Sequence, residues 1–178
     1  MKRYILHLFL FLFAAAASFT ILSCDEFNTF PINIPVTFEF TVTGSDSDYD
    51  SGIYCLSASE AYQEYQDNAE SITYLKAQYR TLFISDNSVE GTINIRVLNS
   101  SGTAIIDFTE TNFVPADYIS NAYTITLEQN EIQAFNTYLN SLPDNQKCFS
   151  VVITVTGING TQTLNGAVDV VFEVVTKF

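Results

Sequence analysis

The 178-residue chain has no tryptophan, one histidine, and only 7 Lys and Arg residues against 20 Asp and Glu. Each shortage excludes something. The histidine, His7, lies in an apolar N-terminal segment read below as a removed leader, so the mature chain would hold no imidazole. Ser-His and Cys-His nucleophilic catalysis and histidine-ligated metal sites are excluded with it. The formal charge of −13 becomes −15 once Lys2 and Arg3 leave with that segment. Such a chain is repelled by phosphate backbones, so no nucleic-acid partner is expected. There is no Ser-x-x-Lys motif to activate a serine and no glycine-rich phosphate loop. With 20 acids the mere existence of a carboxylate pair says nothing about glycoside hydrolysis. Glu39, Asp107, Asp169 and Glu173 read instead as solubilising charge on the polar faces of strands. The sequence predicts no enzymatic activity and no obligatory cofactor.

What is present begins at the N-terminus. Lys2 and Arg3 precede an apolar run from Tyr4 to Leu22, interrupted only by His7, Ser18 and Thr20. This is the charged and then apolar layout of a secretory signal, although a run of this length would also suit an uncleaved transmembrane anchor. The reading turns on Cys24, which directly follows Ile21-Leu22-Ser23 and precedes the acidic Asp25-Glu26.

This arrangement resembles the lipobox of bacterial lipoproteins, in which an aliphatic residue stands three positions before the cysteine and a small one directly before it. Ile21 and Ser23 match. Leu22 departs from the small residue usual between them, and the serine-before-cysteine form is similar to lipoproteins of the Bacteroidota. The resemblance implies cleavage before Cys24, diacylation of its sulfur and acylation of its new amine, with residues 1–23 as signal peptide. Two or more acyl chains of the palmitate class anchor a protein stably to a membrane. In that group, acidic residues just after the cysteine are associated with export to the outer surface. The implied address is therefore the cell envelope, at the periplasmic or surface face of the outer membrane. In general composition the mature chain is similar to small, acidic, Asn-, Thr- and Tyr-rich β-sandwich lipoproteins of the same bacteria.

The roughly 155 mature residues fit one domain, large enough to bury about 70 % of its unfolded surface. Residues 24–35, with two prolines and no sustained period, read as a lipidated tether, and 36–178 as the domain. Alternation of apolar and polar residues from Val36 to Thr43 marks a half-buried strand. The same period recurs at Thr92 to Val97, Thr103 to Thr109, Phe149 to Val155 and Ala167 to Thr176. Asn99-Ser100-Ser101-Gly102 joins two of these into a hairpin. Ser57-Ala58-Ser59-Glu60 and Thr126-Leu127-Glu128-Gln129 read as capping boxes opening two short amphipathic helices. The second carries an Ile132, Phe135, Leu139, Leu142 stripe that Pro143 stops. Ile72 to Ile84 suits a helix or a strand by period, and its β-branched and aromatic density favours a strand. The expected fold is a mainly β, antiparallel β-sandwich, Ig-like or jelly-roll-like, with two short helices.

Candidate sites are few. Asp46, Asp48 and Asp50 alternate ahead of Gly52, as oxygen ligands do in loops that wrap calcium, but Ser51 and Ser57 occupy the glycine and bidentate-glutamate positions of an EF-hand. The alternative is a solvated acidic loop. With Cys24 lipidated, Cys55 and Cys148 remain in an oxidising compartment, either bridged or buried as thiols. Tyr49 and Tyr118, both in presumed loops, are the candidate ligand contacts, the other tyrosines reading as core. Two functions fit: a binding module for a glycan, peptide or protein, or an accessory subunit of an envelope or adhesive assembly that docks through an exposed strand edge.

Overall fold

A computed structural model of the chain describes residues 29–44 and 47–177, with side chains over 29–44 and 52–177. Eight strands run in order: β1 (Thr29–Thr43), β2 (Ser47–Cys55), β3 (Ala69–Ile84), β4 (Gly91–Leu98), β5 (Ala104–Phe113), β6 (Tyr123–Ile125), β7 (Cys148–Val155) and β8 (Thr163–Lys177). They form two four-stranded sheets, ordered β1-β8-β3-β6 and β2-β7-β4-β5. Every pairing is antiparallel, and β1 pairs with β8, β2 with β7, β3 with β6 and β4 with β5. That nesting is one long hairpin rolled up on itself, with β8–β3 and β7–β4 pairings completing the two sheets. It is the jelly-roll form of the β-sandwich.

The alternating residues supply the core. Ile34, Val36, Phe38, Phe40 and Val42 point inward from β1, while Phe149, Val151, Ile153 and Val155 do so from β7. Val168, Phe172 and Val174 complete the layer from β8. Phe38, Phe135, Phe149 and Phe172 meet edge to face or tilted at the centre, with centroids 5.2 to 6.2 Å apart. Such contacts add about 0.5–1.5 kcal/mol per pair beyond burial. A void of about 40 Å³ among these rings is lined only by apolar atoms, which leaves a water without hydrogen-bond partners there.

Strand β1 starts at Thr29, inside the segment expected to be tether. Pro31 and Pro35 are tolerated because β1 is an edge strand and the two share parity, so their missing N–H groups fall on the same side. The helices also differ from expectation. The first, α1 (Glu60–Gln63), is a single turn whose N-cap Ser59 makes no side-chain cap bond. Only Tyr62 on it is buried, and one buried residue does not offset the cost of nucleating a longer helix. The second, α2 (Gln129–Ser141), begins two residues later than the expected box, with Glu128 as N-cap and the Glu131 carboxylate returning to its N–H at 3.0 Å. Leu127 packs against the core and keeps the chain extended up to that point.

Helix α2 closes the side of the sandwich where β5 and the three-residue β6 form the sheet edges. Phe135 and Leu139 enter the core. Glu131 accepts the Asp107 N–H of edge strand β5 at 2.9 Å. At the other sheet, Asn136 accepts the Tyr74 N–H and Asn140 the Ile72 N–H, each at 2.8 Å. The helix thus occupies backbone groups that would otherwise stand as open edges. No helix among the described residues is long and apolar enough to cross a membrane.

Candidate functional site

The sequence candidates fall in different places. Cys24 and Asp46 lie outside the described residues. The segment expected as an acidic loop is instead the start of β2, where Asp48, Tyr49 and Asp50 pair with Thr154, Ile153 and Val152 of β7. An extended backbone sets alternate residues roughly 6.6–6.8 Å apart instead of curling them around one point. Among the described residues no three His, Cys, Asp or Glu side chains gather as a metal would need.

Tyr118 ends a 3₁₀ turn, Pro115–Tyr118. One face of its ring stacks on Phe113 at 5.1 Å, and its other neighbours are Tyr123 at 5.2 Å and Tyr79 at 6.1 Å, both edge to face. It is one wall of an aromatic cluster beside β6 rather than a free platform. Burial raises the Tyr118 phenol and pushes the Tyr79 phenol up to about 12. Burial pushes Tyr123 up to about 12 as well, helped by its 2.6 Å hydrogen bond to the Glu110 carboxylate.

A concavity gathers at the opposite end of the β2–β7 pair. Cys55 and Cys148 face each other across the two strands and are joined, S–S 2.05 Å. The pair closes a loop of 93 residues. Just before it, β2 slips register between Asp50 and Ile53, around Gly52 at φ +77°. The slip leaves Ile53 outside, 76 % exposed. Ile53, Ser150 and Cys148 form the floor of a cleft of about 460 Å³, walled by the Asn99–Gly102 turn and Gln146. That volume is within the range of ligand-binding clefts.

The walls are fixed in place. Asn99 Oδ1 accepts the Ser101 and Thr103 N–H groups at 3.0 and 2.9 Å, which sets the β4–β5 turn. The Tyr138 hydroxyl of α2 accepts from Ser100 N–H at 3.1 Å and donates to the Cys148 carbonyl at 2.6 Å, tying turn, helix and disulfide strand together. Beside them Lys147, only 4 % exposed, donates to the Leu139 and Leu142 carbonyls at 3.0 and 2.8 Å and pairs with Asp144 at 3.3 Å. It neutralises the carbonyl end of α2, where a cation is favoured.

A second polar constellation lies on the outer face of the β1-β8-β3 sheet. Asp169 of β8 takes two hydrogen bonds from Arg80 of β3, at 2.5 and 3.2 Å, and one from Thr37 of β1 at 2.7 Å. The Arg80 hydrogen bond is the main reason the Asp169 carboxyl lies below its ordinary range, and the same bond raises the guanidinium.

Neither Lys147 nor this row was expected from the sequence. A lysine next to a cysteine carries no period, and alternating charges on strands read as ordinary solvated faces. The ladder registers, β8 between β1 and β3, are what bring Thr37, Asp169 and Arg80 together.

No protein-family model and no curated protein matches the sequence. Among solved structures, the chain is similar to Cocksfoot mottle virus, at 10 % identity and a TM-score of 0.42, covering 84 % of this chain and 84 % of that one. It is also similar to the decameric BFDV capsid protein, at 10 % identity and a TM-score of 0.41, covering 82 % and 99 %. A third, from the Gx strain of infectious bursal disease virus, has 12 % identity and a TM-score of 0.37. There the match takes in 83 % of this chain, which spans about a third, 32 %, of that one. The jelly-roll assignment rests on the strand order itself.

Proposed function

We propose that the protein is a lipid-anchored, non-catalytic binding module of the cell envelope, held at its N-terminus by Cys24 and recognising a partner through the cleft at the disulfide end. The observation that carries the reading is the built character of that cleft. A mainly apolar concavity of about 460 Å³ is framed by a disulfide, a side-chain-locked turn and a helix whose Tyr138 joins them. Rigid framing lowers the ordering cost of binding, and an exposed aliphatic group in a recess with a polar rim is how recognition surfaces are built. The described residues contain no histidine to serve as a general base. The disulfide fits the oxidising compartment that a secreted lipoprotein reaches.

The test is photo-crosslinking in the producing cell, with a benzophenone amino acid in place of Ile53 and, as control, in place of Ile119, an exposed isoleucine outside the cleft. A discrete adduct from position 53 alone supports the cleft as the recognition site. No adduct, or the same adducts from both positions, would overturn it.

A second reading, an assembly subunit, is favoured by one feature. Among the described residues the edge strand β1 runs for 15 residues and forms ladder pairs with β8 alone. Pro31 and Pro35 obstruct pairing over its first half, so strand addition would use the Val36–Thr43 half.

A further inference from the structure

We propose that the sandwich docks end-on to the membrane that holds its lipid, with the Phe30 ring seated among the headgroups of zwitterionic phospholipids. The docking rests on the lipid anchor at Cys24 and adds the surface that the folded domain meets. Thr29, the first residue of β1, follows Cys24 by only five positions. An extended chain advances at most about 3.6 Å per residue, so Thr29 stays within about 18 Å of the acylated cysteine. The sheet end that Thr29 builds is therefore the end at the membrane. It includes Lys177, which pairs with Thr29, and Thr176, which pairs with both Phe30 and Ala69.

Phe30 has the core-facing parity of Ile34, Val36, Phe38 and Phe40 on β1, all buried, yet it is 62 % exposed. The core closes before the strand begins, and the ring stands past it on the side of the acyl chains. Its backbone is held, since the Phe30 carbonyl accepts from the Oγ1 of fully buried Thr176 at 3.3 Å. So short a connection makes membrane contact intramolecular, at an effective concentration in the millimolar range, and one aromatic ring is then enough to keep it populated. The charges choose the lipid. Asp25 and Glu26 beside the anchor and Asp67 and Glu70 on the hollow at this sheet end stand against Lys177, which already pairs with Glu70 at 3.8 Å. An anionic leaflet repels such an end, whereas a zwitterionic one carries no net charge. Strand β1 rises from this contact. Tyr54, next to Ile53, packs on Phe38 with centroids 5.3 Å apart, which sets the disulfide-end cleft about 26 Å along β1 from Phe30. A partner beside the lipoprotein can reach it there.

The chain has no tryptophan, so a single introduced indole reports alone. The test is fluorescence of the full-length lipoprotein in phosphatidylcholine vesicles containing headgroup-nitroxide lipid, with Phe30→Trp, Ile53→Trp or Ile119→Trp as reporter. Ile119 follows the Pro115–Tyr118 turn at the far end of the sandwich, where the Pro115 carbonyl accepts from Thr81 late in β3. All three replaced side chains are exposed, so the melting transition should be retained. A ring about 5–10 Å into the headgroup boundary should lose about half its fluorescence or more at position 30, with no loss at 53 or 119. Exchanging about half of the lipid for phosphatidylglycerol at low salt should reduce the quenching at 30. No quenching at 30, equal quenching at 30 and 119, or quenching strengthened by phosphatidylglycerol would overturn the docking. Flotation of the same vesicles separates the docking from the anchor: protein that floats unquenched at position 30 keeps the anchor and refutes the docking, and protein that does not float refutes both.

Discussion

Asn140 meets the backbone of Ile72 as a neighbouring strand would: its Oδ1 accepts the Ile72 N–H at 2.8 Å and its Nδ2 donates to the Ile72 carbonyl at 2.7 Å. Strand β6 pairs only with Ala77 to Tyr79 of β3, so without this contact the β3 edge beside α2 would present open ladder groups. Asn136, one helical turn earlier, accepts the Tyr74 N–H. Two asparagines at i and i+4 lie on one face of a helix, and here that face is the edge of a sheet.

Replacing Asn140 with leucine leaves both Ile72 groups unpaired at a part-buried position. A loss of about 2–3 kcal/mol is expected, read by denaturant unfolding. Hydrogen exchange at the Ile72 amide should accelerate well beyond the change at Ile153 in the centre of the opposite sheet. Equal acceleration at both would mean global destabilisation and no specific edge role for α2.

The disulfide constrains the unfolded chain over 93 residues. Cys55→Ser with Cys148→Ser should lower stability by roughly 2–4 kcal/mol while leaving the fold intact. Alkylation of the unfolded protein without reductant should add no mass at either cysteine, and two adducts should appear after reduction.

Lys147 has its ammonium shared between two carbonyls of α2 and Asp144. Lys147→Met keeps the stem and removes the donors, leaving the Leu142 carbonyl without its ammonium partner and the Leu139 carbonyl with only the Leu142 N–H at 3.4 Å. A cost of about 2–3 kcal/mol follows, with α2 amides exchanging faster. An unchanged melting temperature would show that water replaces the ammonium there.

Alkali should unfold the protein cooperatively. Burial is the leading cause that pushes Tyr74, Tyr79 and Tyr123 up to about 12, above the ordinary phenol value near 10. A raised phenol contributes stability that is present below the unfolded value and is lost as pH rises through the folded one. Absorbance at the tyrosinate band should show a subset of tyrosines silent to about pH 11, then titrating together with loss of circular dichroism. A single smooth titration centred near 10 would contradict the packing of the aromatic cluster.

Much of the fold is legible in the sequence because its strands are half-buried. The strict alternation in Val36 to Thr43, Phe149 to Val155 and Ala167 to Thr176 has one cause, a core on one side and water on the other. Strand β2 was hidden, because an acidic edge strand with Ser51-Gly52 inside it has the composition of a loop. Tether and strand were confused over Thr29 to Pro35 for the related reason that prolines are permitted at an edge. The site residues were less legible still. Asn136 and Asn140 sit on what reads as the solvent face of α2, and their partners are backbone groups more than 60 residues away. Thr37, Asp169 and Arg80 are ordinary polar positions on three strands, and only the ladder registers bring them together.

The most direct test of the whole account is protease shaving of intact cells producing the wild type or Cys24→Ala, with the protein followed in membrane and soluble fractions. A lipid-anchored module predicts a wild type in the membrane fraction that is open to partners, and a Cys24→Ala chain that loses membrane attachment while keeping the same melting transition. A Cys24→Ala chain that remains in the membrane would contradict the account and leave the apolar run Tyr4 to Leu22 as an uncleaved anchor.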